Sequence, residues 1–120
     1  MTGTLILAHG SRRDQTEQTL ENIAGYVRKE VDMPIETAFM QFRDINLEKG
    51  LDKLVKQGCT DIKLIPYFLF EGVHIIEDIP KEIASFTQKN PGITISLGKT
   101  LGDDPGLARI VADRIREMIV

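Results

Sequence analysis

At 120 residues, 42% of them apolar, the chain is long enough to bury one domain core and too short for two. Its 15 basic and 18 acidic residues leave a net charge of −3, which argues against nucleic acid as a partner, since such binders carry a basic excess. The lone Cys59 excludes an intrachain disulfide and fits a reducing cytosol; lying just ahead of an apolar run, it reads as a small buried hydrophobe. The apolar run Leu5 to Ala8 is too short for a signal peptide or a membrane span, so the expectation is one cytoplasmic domain over residues 1–120 with no membrane partner.

Apolar periodicity alternates between strand-like and helix-like segments, four of each. Thr4 to Ala8 is a continuous apolar strand, suited to a sheet covered on both faces. Leu20, Ile23, Ala24, Val27 and Val31 set a helix over about Arg13 to Val31. A second strand, Ile35 to Met40, follows Pro34, and a second helix runs from Leu47 to Gln57, with Gly58 as its C-terminal cap. Asp61 to Ile65 is the third strand, which Pro66 should end because proline donates no hydrogen bond. Gly72 and His74 then fall in a loop, and a third helix is expected from about Asp78, with Pro80 in its first turn and Ile79, Ile83 and Phe86 inward. Ile93 to Leu97 alternates as an edge strand does. The last helix has Asp104 as N-cap, Pro105 at its first position, and Leu107, Ile110, Val111, Ile115 and Met118 inward.

Strands alternating with helices imply right-handed crossovers and a parallel sheet. The expectation is an α/β fold: a small, doubly wound, flavodoxin-like sheet of four parallel strands in the order 2-1-3-4, with helices on both faces. Ligands of such sheets bind at the carboxyl ends of the strands, where the order reverses between strands 1 and 3. His9 follows strand 1 and His74 follows strand 3, so the only two histidines flank that crevice. Imidazole ligates Co, Ni, Fe and Zn and titrates near neutral pH, so a shared metal or proton-transfer role is expected of the pair.

The turn His9-Gly10-Ser11-Arg12-Arg13 opens the first helix. Ser11 can cap that helix or bond a carboxylate, and Arg12 and Arg13 can fork onto carboxylates. An ordinary cap with solvated arginines accounts for each residue singly, and a phosphate site would use similar features. Tyr67, Phe68 and Phe70 gather three of the chain's five Phe and two Tyr in one stretch. That stretch is either core packing, a flat apolar wall for a planar ligand, or a face for a second subunit. Glu71, Glu77 and Asp78 bracket His74 as candidate partners of the histidine or as helix-start acids.

Along its whole length the chain resembles the small class II chelatases of the CbiX type, the sirohydrochlorin cobaltochelatases. The carrying motifs are Leu5-Ile6-Leu7-Ala8-His9-Gly10-Ser11-Arg12, Pro66-Tyr67-Phe68-Leu69-Phe70-Glu71-Gly72-Val73-His74, Glu77-Asp78-Ile79-Pro80 and Leu101-Gly102-Asp103-Asp104-Pro105. The resemblance implies a chelatase-like unit that pairs with a second copy as a homodimer and inserts a divalent ion, Co2+ first and Ni2+ or Fe2+ as alternatives. It implies His9 and His74 as the catalytic and metal-binding pair. Ser11, Arg12, Arg13, Gln41, Tyr67, Phe70 and Gly72 would face the anionic tetrapyrrole. No cofactor beyond the inserted metal is implied. Relatives often have Gly at Ala8 and an acid at Gln41; the second departure leaves more of the work to the histidines and bears on metal choice.

Two other classes compete. A histidine phosphatase would carry an arginine where Ala8 stands. A non-catalytic flavodoxin-like module would bind FMN or a tetrapyrrole without chemistry; FMN would want a Ser/Thr-rich phosphate loop, and the chain has neither that nor a tryptophan.

Overall fold

The computed structural model describes residues 1–119, the side chains of His74 and Ile76 excepted. Eight elements alternate: β1 (Thr2–Ala8), α1 (Gln15–Arg28), β2 (Ile35–Phe39), α2 (Leu47–Lys56), β3 (Asp61–Pro66), α3 (Val73–Lys89), β4 (Thr94–Leu97) and α4 (Pro105–Ile119). The four strands form one parallel sheet in the order β2-β1-β3-β4, the order expected from the alternation. β1 lies at its centre, with Leu5 opposite Glu36 of β2 and Leu64 of β3.

Period-two alternation divides the core between the two faces. Leu5 and Leu7 join Ile62 and Leu64 beneath α2 and α3, which supply Leu47, Leu51, Leu54, Ile79 and Phe86. Ile6 and Ala8 point the other way, onto Leu20 and Ala24 of α1. β1 is therefore apolar at consecutive positions because it is covered on both sides. Cys59 is buried in the first cluster, and burial pushes its thiol pKa up, as befits an inert packing residue.

Local signals place most element ends. Asn46 caps α2 by accepting from the Lys49 N–H at 2.9 Å, and Gly58, at φ +96°, turns the chain just beyond that helix. Asp104 accepts the Gly106 N–H at 2.7 Å at the start of α4.

Four expectations are corrected. α1 begins at Gln15 and ends at Arg28, shorter at both ends, because residues 11–14 form a turn held by their own side chains. β3 keeps Pro66, which pairs with Leu7: the missing N–H faces no acceptor that the ladder needs, and the next N–H, on Tyr67, reaches the Leu7 carbonyl at 2.7 Å. α3 starts at Val73 rather than near Asp78, so His74 lies on its first turn and Pro80 lies inside the helix. Gly72, in extended conformation, is the true N-cap. The fourth correction is the largest. The apolar stripe of α4 does not face inward: Ile110, Val111, Ile115 and Met118 are all exposed and no residue of the helix is buried. The radius of gyration, 15.4 Å, exceeds the roughly 13.6 Å of a compact chain this long, and the longest axis is 55 Å, because α4 stands away from the body. Periodicity identifies an apolar face but not its partner.

α3 also carries one unfavourably placed acid. Glu82 borders a cavity of about 110 Å³ with Glu48, Leu51 and Phe86, and burial, then Asp78 and Glu48, raise its pKa. A carboxyl with a raised pKa binds its proton more tightly folded than unfolded, so ionising it destabilises the fold above that pKa. Glu82→Gln is expected to raise the urea midpoint at pH 7, with the gain shrinking towards pH 4, where the native acid is itself protonated. Urea titrations at the two pH values check this; an equal or larger gain at pH 4 refutes it.

Candidate functional site

The strand order reverses between β1 and β3, and the residues that leave the carboxyl ends of these strands meet the segment that leaves β2. His9 is exposed immediately after β1. Its carbonyl accepts the Gln41 N–H at 3.2 Å, and the Met40 N–H reaches the Ala8 carbonyl at 2.9 Å, so the two segments run zipped together past the sheet edge. The Gln41 side-chain Nε2 lies 3.0 Å from His9 Nε2. An amide NH2 only donates, so with the amide so oriented the ring nitrogen accepts and the ring proton sits on Nδ1. On its other side the imidazole meets the edge of the Phe68 ring at 6.1 Å between centroids. His9 is thus aimed by one polar and one aromatic neighbour while staying open to solvent.

Gly10 makes this approach possible. Its φ of +97° is a conformation side chains rarely adopt, and a Cβ there would overlap the Gln41 carbonyl oxygen. Ser11 does not cap α1. Its hydroxyl pairs with the Thr16 hydroxyl and accepts the Arg13 N–H at 3.2 Å, while Asp14 holds the N-cap position without its side chain capping a helix N–H. Arg12 lies exposed with its guanidinium 5.1 Å from the centre of the Phe42 ring. Arg13 and Tyr67 border a cavity of about 340 Å³ on the α1 side of the sheet, with Ala8, Leu20, Ile23 and Phe39. Phe70 and Gly72 border a separate cavity of about 160 Å³ on the other side, beside Phe68, Ile75 and Leu97.

The aromatic stretch is therefore not one wall. Tyr67 packs with the α1 cluster, Phe68 enters the α2–α3 core, and Phe70 is 83% exposed. The structure brings His9, Gly10, Gln41 and Phe68 together, holds Arg12 beside the neighbouring Phe42, and separates Tyr67 from Phe70 and Gly72. The backbone of His74 lies in the first turn of α3, on the same carboxyl edge, but its side chain lies outside the described residues. Glu71, Glu77 and Asp78 near it are exposed.

Two residues that the motifs did not flag organise this rim. Arg43 reaches Glu17 at 2.6 Å and Asp14 at 3.1 Å, tying the segment after β2 to the start of α1. Glu17 first, then Asp14, raise its pKa, so it remains a cation throughout the working range. Phe42 has φ +69°, a strained conformation for a bulky side chain, and is half exposed beneath Arg12. An aromatic residue flanked by polar ones between a strand and a helix, as in Gln41-Phe42-Arg43-Asp44, is the sequence signal that was there to read.

Open, doubly wound parallel sheets bind ligands at the carboxyl ends of their strands, and this α/β chain presents a histidine at that switch point. The chain belongs to the CbiX family, whose model matches residues 3–118. It is 32% identical to the sirohydrochlorin cobaltochelatase of Methanosarcina acetivorans, covering 98% of this chain and 96% of the relative. It is 30% identical to the sirohydrochlorin ferrochelatase of Bacillus subtilis over 95% of this chain, but spans only 44% of that longer relative. Among solved structures it superposes with TM-score 0.88 on the chelatase SirB from Bacillus subtilis subspecies spizizenii in complex with cobalt, at 31% identity, covering 97% of this chain and 50% of the other. The CbiX protein of Marinobacter aquaeolei superposes with TM-score 0.84 at 25% identity, over 99% and 98% of the two chains.

Proposed function

We propose that this chain is a sirohydrochlorin chelatase that inserts a divalent ion into the tetrapyrrole, with cobalt as its metal and His9 and His74 acting at one site. The observation that carries this reading is the family match over residues 3–118, which includes the histidine held open at the switch point. Relatives at similar identity are named for cobalt and for iron, so the choice of cobalt rests on the relatives matched over nearly their full length, which carry the cobalt name. Nickel and iron are the alternatives.

Insertion requires a distorted macrocycle, loss of two pyrrole protons, and stepwise exchange of the metal's water ligands for ring nitrogens. One imidazole presents the incoming ion and gives it up as the ring nitrogens take hold. The other, neutral, accepts one pyrrole proton, and the second passes to solvent water. Imidazole with few hard oxygen ligands favours cobalt and nickel over magnesium. Ser11, Arg12, Arg13, Gln41, Tyr67, Phe70 and Gly72 are the residues we assign to the macrocycle and its carboxylates, with Arg12 and Arg13 as the exposed cations of the rim. The whole reading is of one unit over residues 1–120, cytoplasmic, acting as a homodimer. Among the described residues no helix is long and apolar enough to cross a membrane.

Anaerobic sirohydrochlorin assays run in parallel with cobalt, nickel, ferrous iron and magnesium test this. Cobalt is expected to give the fastest change in the visible spectrum and magnesium none. Failure to insert cobalt, nickel or iron at a rate above that of the metal and tetrapyrrole alone would overturn the chelatase reading. Iron or nickel faster than cobalt would overturn the metal assignment only.

A further inference from the structure

Three arginines stand near the rim, and they are not alike. Arg12 and Arg13 are exposed and can meet an anion. Arg43 is already engaged: its Nε reaches Glu17 at 2.6 Å, one terminal nitrogen reaches Asp14 at 3.1 Å, and the other donates to the Ser11 carbonyl at 3.4 Å. Only 17% of its side chain is exposed and two carboxylates neutralise it, so it is badly placed to bind a further carboxylate. Ion pairs to acids as open as Asp14 and Glu17 add little to stability. A planar guanidinium bonded to three acceptors of one segment does something else: it fixes that segment against its own.

What it fixes is the stretch 40–45. The start of that stretch is bonded to the end of β1 by Met40 N–H to the Ala8 carbonyl at 2.9 Å and Gln41 N–H to the His9 carbonyl at 3.2 Å. The Ile45 carbonyl closes it by accepting the Phe39 N–H at 2.9 Å. In between stands Phe42 at φ +69°, a conformation that persists in a bulky residue only where the surroundings impose it. Gln41, on one side of Phe42, touches His9; Arg43, on the other, touches residues 11–17. The Phe42 ring itself lies 5.1 Å from the Arg12 guanidinium. One clamp therefore governs two contacts of the site, the amide that aims His9 and the aromatic face beneath Arg12.

We propose that Arg43 is a positioning residue for metal insertion: by clamping the segment after β2 to the turn before α1, it holds the Gln41 amide on His9 and the Phe42 ring under Arg12. The proposal rests on the chelatase reading above, with His9 in the reaction and Arg12 on a carboxylate of the tetrapyrrole. The two contacts separate in kinetics. Loss of the aim on His9 lowers kcat, and loss of the support under Arg12 raises KM for the tetrapyrrole.

The full chain and three variants test this. Arg43→Met keeps an apolar stem and removes the fork. It is expected to lower kcat about tenfold and raise KM for sirohydrochlorin about threefold, with a melting temperature within about 4 °C of wild type. Asp14→Ala/Glu17→Ala removes the other half of the clamp and is expected to change kcat and KM in the same directions, which keeps the test open if Arg43→Met does not fold. Were Arg43 instead a direct ligand of the substrate, freeing it from its two acids would lower KM. Phe42→Leu is expected to raise KM alone. A further readout needs neither metal nor tetrapyrrole: 15N spectra of the histidine rings well above neutral pH, where imidazole is uncharged, with His9 assigned by its loss in His9→Ala. In the wild type the His9 ring nitrogens should be distinct, one protonated and one accepting from Gln41; in Arg43→Met they should draw together as the two tautomers exchange. Wild-type kcat and KM in Arg43→Met, unmoved His9 ring signals in that variant, or a lowered KM in Asp14→Ala/Glu17→Ala overturns the proposal, and a wild-type KM in Phe42→Leu overturns its Arg12 half. A chain that inserts no metal but whose His9 signals move with Arg43 refutes the chelatase reading and not the clamp, so the two failures are told apart.

Discussion

Replacing His9 with alanine is expected to slow metal insertion by at least about a hundredfold while leaving the fold intact. The side chain is exposed and belongs to neither core cluster, so its removal creates no cavity. What is lost is an imidazole held in one orientation, and a group acting as ligand or proton acceptor in the reaction is worth roughly 10²–10⁴ in rate. Gln41→Ala separates aiming from chemistry. The Gln41 amide touches His9 and orients it, so its removal should lower the rate about tenfold, less than loss of the ring itself. His74→Ala should match His9→Ala if the two act together. Anaerobic initial rates, with thermal melts as the control for folding, check the series. A His9→Ala rate within about threefold of wild type would remove this residue from the reaction.

The fold was legible because its signals are local and repeated. The unbroken apolar run of β1 marked a strand covered on both faces, Gly58 marked a helix end, and the alternation of elements implied a parallel sheet whose flavodoxin-type order 2-1-3-4 the structure shows. Where reading failed, two local signals competed. Pro80 looked like a first-turn proline and drew the start of α3 towards Asp78, whereas the chain turns helical after Gly72 and carries the proline within. The α4 stripe was legible as a face and illegible as a contact, because what covers an apolar face is a matter of tertiary or quaternary geometry. The site divides the same way. His9 and Gly10 stand out as a motif at a strand end, but Arg43 and Phe42 act on Ser11, Arg12 and Asp14 of the turn before α1, some 30 positions earlier, through pairs that no spacing rule connects.

The largest effect on stability at the site is expected from Gly10→Ala. At φ +97° an alanine is strained by roughly 1–3 kcal/mol, and its methyl would also overlap the Gln41 carbonyl oxygen and crowd Phe39 Cβ at 3.3 Å. Relief requires the backbone of Gln41 to move, which breaks the 3.2 Å bond from its N–H to the His9 carbonyl. Together these should cost about 3 kcal/mol, lowering the melting temperature by about 10 °C in a chain of this length. The rate should fall further than stability alone accounts for, because the carbonyl that moves belongs to the residue whose amide aims His9, and a displacement of about 1 Å at a reacting group can cost a hundredfold. Gly25→Ala is the control: it lies within α1 with open space around its missing Cβ, so alanine there should leave the rate unchanged and raise stability by roughly 0.5–1 kcal/mol. Differential scanning calorimetry and insertion rates on the two variants decide it. A Gly10→Ala protein melting within about 2 °C of wild type would mean that the turn relaxes without disturbing Gln41, and the close approach would then not be what holds the histidine in place.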